Sequence, residues 1–163
     1  MTELMLRLVG GGLLAAAGAM LGNEKHREMR RAQRTLEQLC AALGRAAAEL
    51  TGLRTPMPQL FMKLEDCPFF LLLSAGFGGE PLEKLWRRAA EVQPIPERDR
   101  TALAGLGAVM GRYDAERQAA ELELVRKQLS DSAKALEREI SARGRHYAGL
   151  GAALGGMLAV VLF

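Results

Sequence analysis

Aromatic residues make up only 5% of this chain, and its 163 residues include two cysteines, two histidines and one tryptophan. The aromatic and β-branched side chains that pack a pleated surface are sparse. No stretch alternates apolar and polar residues at period two, so no strand is expected. Cys40 and Cys67 have no CxxC partner, and His26 and His146 stand at opposite ends of the middle segment. That set builds neither a metal cluster nor a disulfide framework, and it reads as two free thiols in a reducing compartment. No metal and no cofactor are expected.

A reaction centre is missing too. No glycine-rich loop follows a strand to cradle a phosphate. Ser74, Ser130, Ser132 and Ser141 have no histidine within plausible reach. The carboxylates alternate with Arg and Lys along helical stretches, as solvated ion pairs do. The sequence therefore predicts a protein that is not an enzyme.

A net charge of +3 raises the question of nucleic acid, and the distribution of charge answers it. Apart from Glu3 and Arg7, every Lys, Arg, Asp and Glu falls between residues 24 and 146, with the signs mixed. The basic excess is local: Lys25, Arg27, Arg30, Arg31 and Arg34 follow one apolar run, and Arg138, Arg143 and Arg145 precede another. No aromatics interleave with them to stack on bases. Nucleic acid is thereby excluded as the expected partner. Lys25, Arg27, Arg30, Arg31, Arg143 and Arg145 read as contacts to lipid headgroups.

What the chain has in abundance is Ala, Leu, Arg and Glu, all strong helix formers. Residues 4–22 hold no charge except Arg7, which is close enough to the end to snorkel, and as a helix they cover roughly 28 Å, about one hydrocarbon core. The small residues from Ala15 to Ala19 would suit a cleaved leader. Against that stand the short apolar stretch before them, broken by Gly10, Gly11 and Gly12, and the basic cluster that follows. Residues 148–163 reach roughly 24 Å as a helix and form a short, near-upright span. A buried core helix is the other reading of this run, though a core helix would rarely end in so charge-free a tail.

Both runs place small residues on one helical face. Gly11, Ala15, Gly18 and Gly22 do so in the first; Ala148, Ala152, Gly155 and Ala159 do so in the second, where Gly151 and Gly155 form a GxxxG match. Small faces let helices approach closely in lipid. The spans are expected to pack on each other or on partner helices, and self-association of the chain stays open. With basic residues on both inner flanks, the middle segment should lie in the cytoplasm and both termini outside.

The expected organisation is all-helical: a transmembrane helix over 1–22, a cytoplasmic six-helix bundle over 23–146 and a transmembrane helix over 147–163. The first helix continues from its span through Leu36, Leu39, Leu43, Ala46 and Leu50. Thr55 is expected to cap the next helix, with Pro56 at its first position. Cys67-Pro68 opens a short helix through the apolar run from Phe69 to Leu73, expected to be the most buried element, and Gly78-Gly79 ends it. Pro81 starts a helix through Leu85 and Trp86. After Pro94-Ile95-Pro96 comes a helix through Leu103, Leu106, Val109 and Met110. Gly111 stops it and Asp114 caps a long helix, with a seam at Leu122, Val125, Leu129, Ala133, Leu136 and Ile140.

The stretch Leu106-Gly107-Ala108-Val109-Met110-Gly111-Arg112-Tyr113-Asp114, with Gln118 four residues on, resembles the helix–turn–helix junction of the stage III sporulation protein AB family. Thr55-Pro56-Met57, Trp86 and Tyr147-Ala148-Gly149-Leu150-Gly151 match other landmarks of that family in order. Met57 replaces its usual leucine, and residues 67–79 are more apolar than its pattern. The resemblance covers essentially the whole chain. It implies a part in endospore formation, in the complex joining mother cell to forespore, with the chain in the mother-cell membrane around the forespore. It also implies a cytoplasmic domain like those of type II secretion and type IV pilus platform proteins. The implied partners are other stage III proteins, including the secretion-type ATPase stage III sporulation protein AA. Gly111, Arg112, Asp114 and Gln118 then read either as a docking surface or as a helix junction and nothing more. The alternative function is a small permeability subunit whose glycine-rich spans line a passage. Those spans offer no polar residue at mid-depth, where a passage should need one.

Overall fold

A computed structural model of the chain describes the backbone of residues 2–162 and the side chains of residues 24–142. Two long helices, α1 (Thr2–Ala48) and α6 (Ala115–Leu162), enclose four short ones in sequence: α2 (Met57–Lys63), α3 (Pro68–Gly76), α4 (Leu82–Glu91) and α5 (Glu97–Gly105). A π-helical turn, Glu49–Leu53, prolongs α1, and a 3-10 turn, Leu106–Ala108, prolongs α5. No strand forms among the described residues, where a single bridge joins Phe77 to Glu80.

α1 and α6 share the most extensive interface of the fold. Their apolar residues recur every three or four positions and so form one stripe on each helix. Leu36, Leu39, Leu43 and Ala46 are buried on α1 and Leu50 on the π turn that prolongs it; Leu122, Val125, Leu129, Ala133 and Ile140 are buried on α6, with Leu136 partly so. Each fully buried Leu contributes about 1.5–3 kcal/mol. The helices run antiparallel: Cys40 Sγ donates to the Arg126 carbonyl, while Leu50, in the π turn beyond α1, sits beside Ala115 and Gln118 at the start of α6.

α2 to α5 pack around Trp86. Its ring meets those of Phe61, Phe69 and Phe70 edge-on, with centroids 6.0, 5.4 and 6.2 Å away. The indole N–H donates to the Leu103 carbonyl at 2.7 Å, which ties α4 to α5. Gly107 makes the next turn possible: a Cβ there would lie 2.7 Å from the Trp86 Cβ and 3.1 Å from the Glu83 backbone.

Four local expectations need correction. Thr55 does not cap α2. Its hydroxyl donates instead to the charged Glu49 Oε2 at 2.7 Å, and no side-chain oxygen accepts from the first-turn N–H groups of α2. α2 accordingly begins at Met57, with Pro56 preceding it and Pro58 in its first turn. α3 is not uniformly buried either. Phe69, Phe70 and Leu73 are sealed, but Leu71 and Leu72 are 49% and 42% exposed, because a nine-residue helix can turn only one face to the core. The helix expected through Met110 ends at Gly105 and tightens into the 3-10 turn, with Val109 only partly buried.

The two expected spans, and with them Gly11, Ala15, Gly18, Gly22, Gly151 and Gly155, lie outside the residues whose side chains are described. Among the described residues, no helix is long and apolar enough to cross a membrane.

Candidate functional site

The residues singled out at the α5–α6 junction come together at the end of the bundle where α1 stops and α6 starts. Gly111 adopts φ +77°, a region that strains any residue bearing a Cβ. Its N–H donates to Gln118 Oε1 at 3.1 Å, and Gln118 Nε2 donates in turn to the Tyr113 carbonyl. Gln118 is buried, so a side chain of α6 satisfies the turn that leads into α6. Asp114 Oδ1 accepts the Arg117 N–H at 2.8 Å, the cap its position predicts. The Arg117 guanidinium lies 4.1 Å from the Tyr113 ring centroid. Arg112 reaches back across the turn to Glu83 Oε2 at 3.0 Å, and Arg87 approaches the same carboxylate at 3.5 Å. Both partners of the Arg112 pair are solvent-exposed, which limits its value to about 0–1 kcal/mol.

The facing wall is the turn that ends α1, which Glu49 braces. Its carbonyl accepts the N–H groups of Arg54 and Thr55 where α1 ends. Its carboxylate accepts from Lys63 Nζ at 2.6 Å and from the Thr55 hydroxyl. The Lys63 hydrogen bond, followed by that of Thr55, holds the Glu49 carboxyl below the usual range. Arg54 closes the π turn at φ 47°, ψ 40° and is the one non-glycine residue with positive φ among those described. Between the walls lies a groove of about 450 Å³, lined by Leu50, Arg54 and Met57 on one side and by Gly111, Ala115, Glu116 and Gln118 on the other. No hydrogen bond or ion pair reaches the Arg54 guanidinium from the described residues.

Lys25, Arg27, Arg30 and Arg31 are exposed; Lys25 pairs with Glu28 at 3.5 Å, and Arg30 Nε donates to His26 Nε2 at 2.8 Å. Arg143 and Arg145 lie outside the described side chains.

Sequence reasoning missed Asp99. Carboxylates were expected to be solvated, yet Asp99 is 1% exposed in the first turn of α5. Its Oδ1 accepts from Ser132 Oγ at 3.0 Å and Gln128 Nε2 at 3.2 Å, which pins α5 to α6, while Oδ2 has no partner among the described residues. The partners lie 29 and 33 residues away, so no local pattern announces the contact. Arg54 was missed because its signal is a backbone angle rather than a residue pattern. Burial pushes both the Cys40 and Cys67 thiols up, away from reactive values. Among the described residues no three His, Cys, Asp or Glu side chains converge as metal ligands would.

The arrangement is therefore one of caps, ion pairs and an open groove. The profile of a family described as "Stage III sporulation protein AB" matches residues 7–163. A solved structure titled "Stage III sporulation protein AB" is similar, with a TM-score of 0.60 and 19% identity over 68% of this chain and 97% of that one. At that identity the likeness concerns the fold. No curated protein matches the chain.

Proposed function

The chain belongs to the Stage III sporulation protein AB family, and from that premise we propose that it is a non-enzymatic membrane platform of a sporulation-specific, secretion-like complex. In this reading its two terminal segments anchor it in the mother-cell membrane around the forespore. The helical domain between them receives a cytoplasmic secretion-type ATPase, stage III sporulation protein AA, and the other stage III proteins assemble around it.

One observation carries the reading. α1 and α6 are antiparallel neighbours, so the segments leading to both termini leave the domain at the same end. The π turn and the α5–α6 junction form the opposite end. From residue 24 to the end of α1 is about 37 Å of helix, so a membrane-held domain would present that end well into the cytoplasm. The exposed residues Lys25, Arg27, Arg30 and Arg31 stand at the membrane side, where anionic headgroups favour them.

The test is binding of stage III sporulation protein AA to the full chain in nanodiscs containing anionic lipid. Saturable binding that weakens as salt rises is the expected result. A chain that stays helical in the disc and fails to bind the ATPase at low salt contradicts the proposal.

A further inference from the structure

α3 carries no charged residue, and Ser74 is its single polar side chain. A helix apolar all round belongs inside a core, yet the domain covers only one side of this one. Phe69, Phe70 and Leu73 are sealed. Pro68, Leu71, Leu72 and Ala75, spaced by three and four, form an exposed stripe on the opposite face. Scattered surface leucines need no explanation, but an unbroken apolar stripe points to a contact surface.

The charged residues nearest α3 in sequence are already engaged. Lys63 pairs with Glu49, Asp66 with Arg45 and Glu80 with Arg88, at 2.6, 2.7 and 2.8 Å, and Glu65 accepts the Ser74 hydroxyl. A charged partner finds no free counter-charge among them. What the stripe fits is another uncharged stripe, and every other copy of the chain carries one. In a two-fold contact each residue near the axis faces its own copy, so a charge there would meet its like; this stripe has none.

Lipid is the other apolar occupant, and with both termini anchored α3 lies beyond its reach. Asp66, two residues before α3, is held by Arg45, about 31 Å of helix beyond residue 24. The nine residues of α3 span only about 14 Å, too little to return to the membrane side. We propose that α3 is the contact between two copies of this chain, packed stripe to stripe about a two-fold axis at Leu71 and Leu72. Four side chains fall well short of the roughly 800 Å² per partner that a free-standing dimer needs. The contact therefore forms between copies confined to one membrane, where effective concentration is high, and to that extent it rests on the anchored reading.

The experiment uses the full chain, tagged with donor or acceptor fluorophores, in vesicles of phosphatidylcholine and phosphatidylglycerol, with no ATPase present. Energy transfer is followed as protein density rises, for wild type, Leu72→Glu, Leu72→Lys and an equimolar mixture of the two variants. Wild-type transfer should saturate; each variant alone should need about tenfold more protein, because like charges meet at the axis, and the mixture should recover. Melting temperatures should agree within about 2 °C, since Leu72 lies outside the core. Leu71→Cys, which adds no charge, should form a disulfide-linked dimer under copper phenanthroline, while the wild-type chain should not. Variants that associate as wild type does, wild-type transfer no higher than random collision gives, or no linked dimer overturn the contact. Weakened variants with no recovery in the mixture overturn it too, and leave the stripe to lipid or to another protein. A chain that does not float with the vesicles overturns the anchored reading, and the contact with it.

Discussion

Gly111 and Gln118 hold each other across the α5–α6 turn: the glycine N–H donates to the glutamine side chain at 3.1 Å, and that side chain in turn donates to Tyr113. Gln118 is therefore the clamp of the junction. Gln118→Ala orphans a backbone donor and acceptor in a part-buried place, and the expected loss is about 1–3 kcal/mol. Amide hydrogen exchange should quicken first at Gly111. Exchange at Gly111 as slow as in the wild type would contradict the clamp.

Three glycines close together should answer differently to alanine. At Gly107 the new Cβ meets Trp86 and the Glu83 backbone, neither of which can swing away, and a cost of about 1–3 kcal/mol is expected. At Gly111 there is room, but φ is +77°, so only the strain of about 1 kcal/mol remains. Gly105 ends α5 with nothing within 4 Å of a Cβ, and alanine there should stabilise by about 0.5–1 kcal/mol. The ranking, read from unfolding midpoints, is the test; a destabilised Gly105→Ala would break it.

Stability should fall in acid through Glu49 and Asp66. Hydrogen bonds from Lys63 and Thr55 hold Glu49 below its ordinary 4.5, and Arg45, at 2.7 Å, holds Asp66 below its ordinary 3.8. A depressed carboxyl contributes stability above its unfolded value and loses it as pH falls through the lower folded one. Melting temperature should thus be level down to about pH 5 and decline below about pH 4.5, with a shallower decline in Glu49→Gln. The Arg45–Asp66 pair is solvent-exposed and Glu49 is part-covered, so added salt should flatten the curve as well, chiefly through Asp66. An unchanged slope in Glu49→Gln would remove Glu49 from this account.

The thiols give a separate check on packing. Cys67 is buried and Cys40 half-buried, and burial raises both above the ordinary 9.0. Since the thiolate is the reactive form, alkylation near pH 8 should run at least about tenfold slower than in the unfolded chain, and slower at Cys67 than at Cys40. Mass spectrometry of labelled peptides measures both rates; faster labelling at Cys67 would contradict the core as described.

Much of this was legible in the sequence where the chemistry is local. The α1 and α6 seams follow from apolar residues every three or four positions, and Gly111 and Asp114 announced a helix stop and start through their own backbone preferences. The failures share a different cause. Thr55 lost its expected capping role to Glu49, which Lys63 holds in place from 14 residues away. Arg112 finds Glu83 across 29 residues, and Asp99 finds its partners on another helix. In the run from Phe69 to Leu73 every residue is apolar, so no period separates the sealed face from the exposed one.

The central claim is that the end of the domain opposite its termini receives the motor. Hydrogen–deuterium exchange of the full chain in nanodiscs, with and without stage III sporulation protein AA, tests it most directly. The account predicts protection concentrated in residues 50–57 and 111–118, with α5 unchanged. Protection confined to the exposed apolar face of α3, or none anywhere with the ATPase in saturating excess, would contradict it.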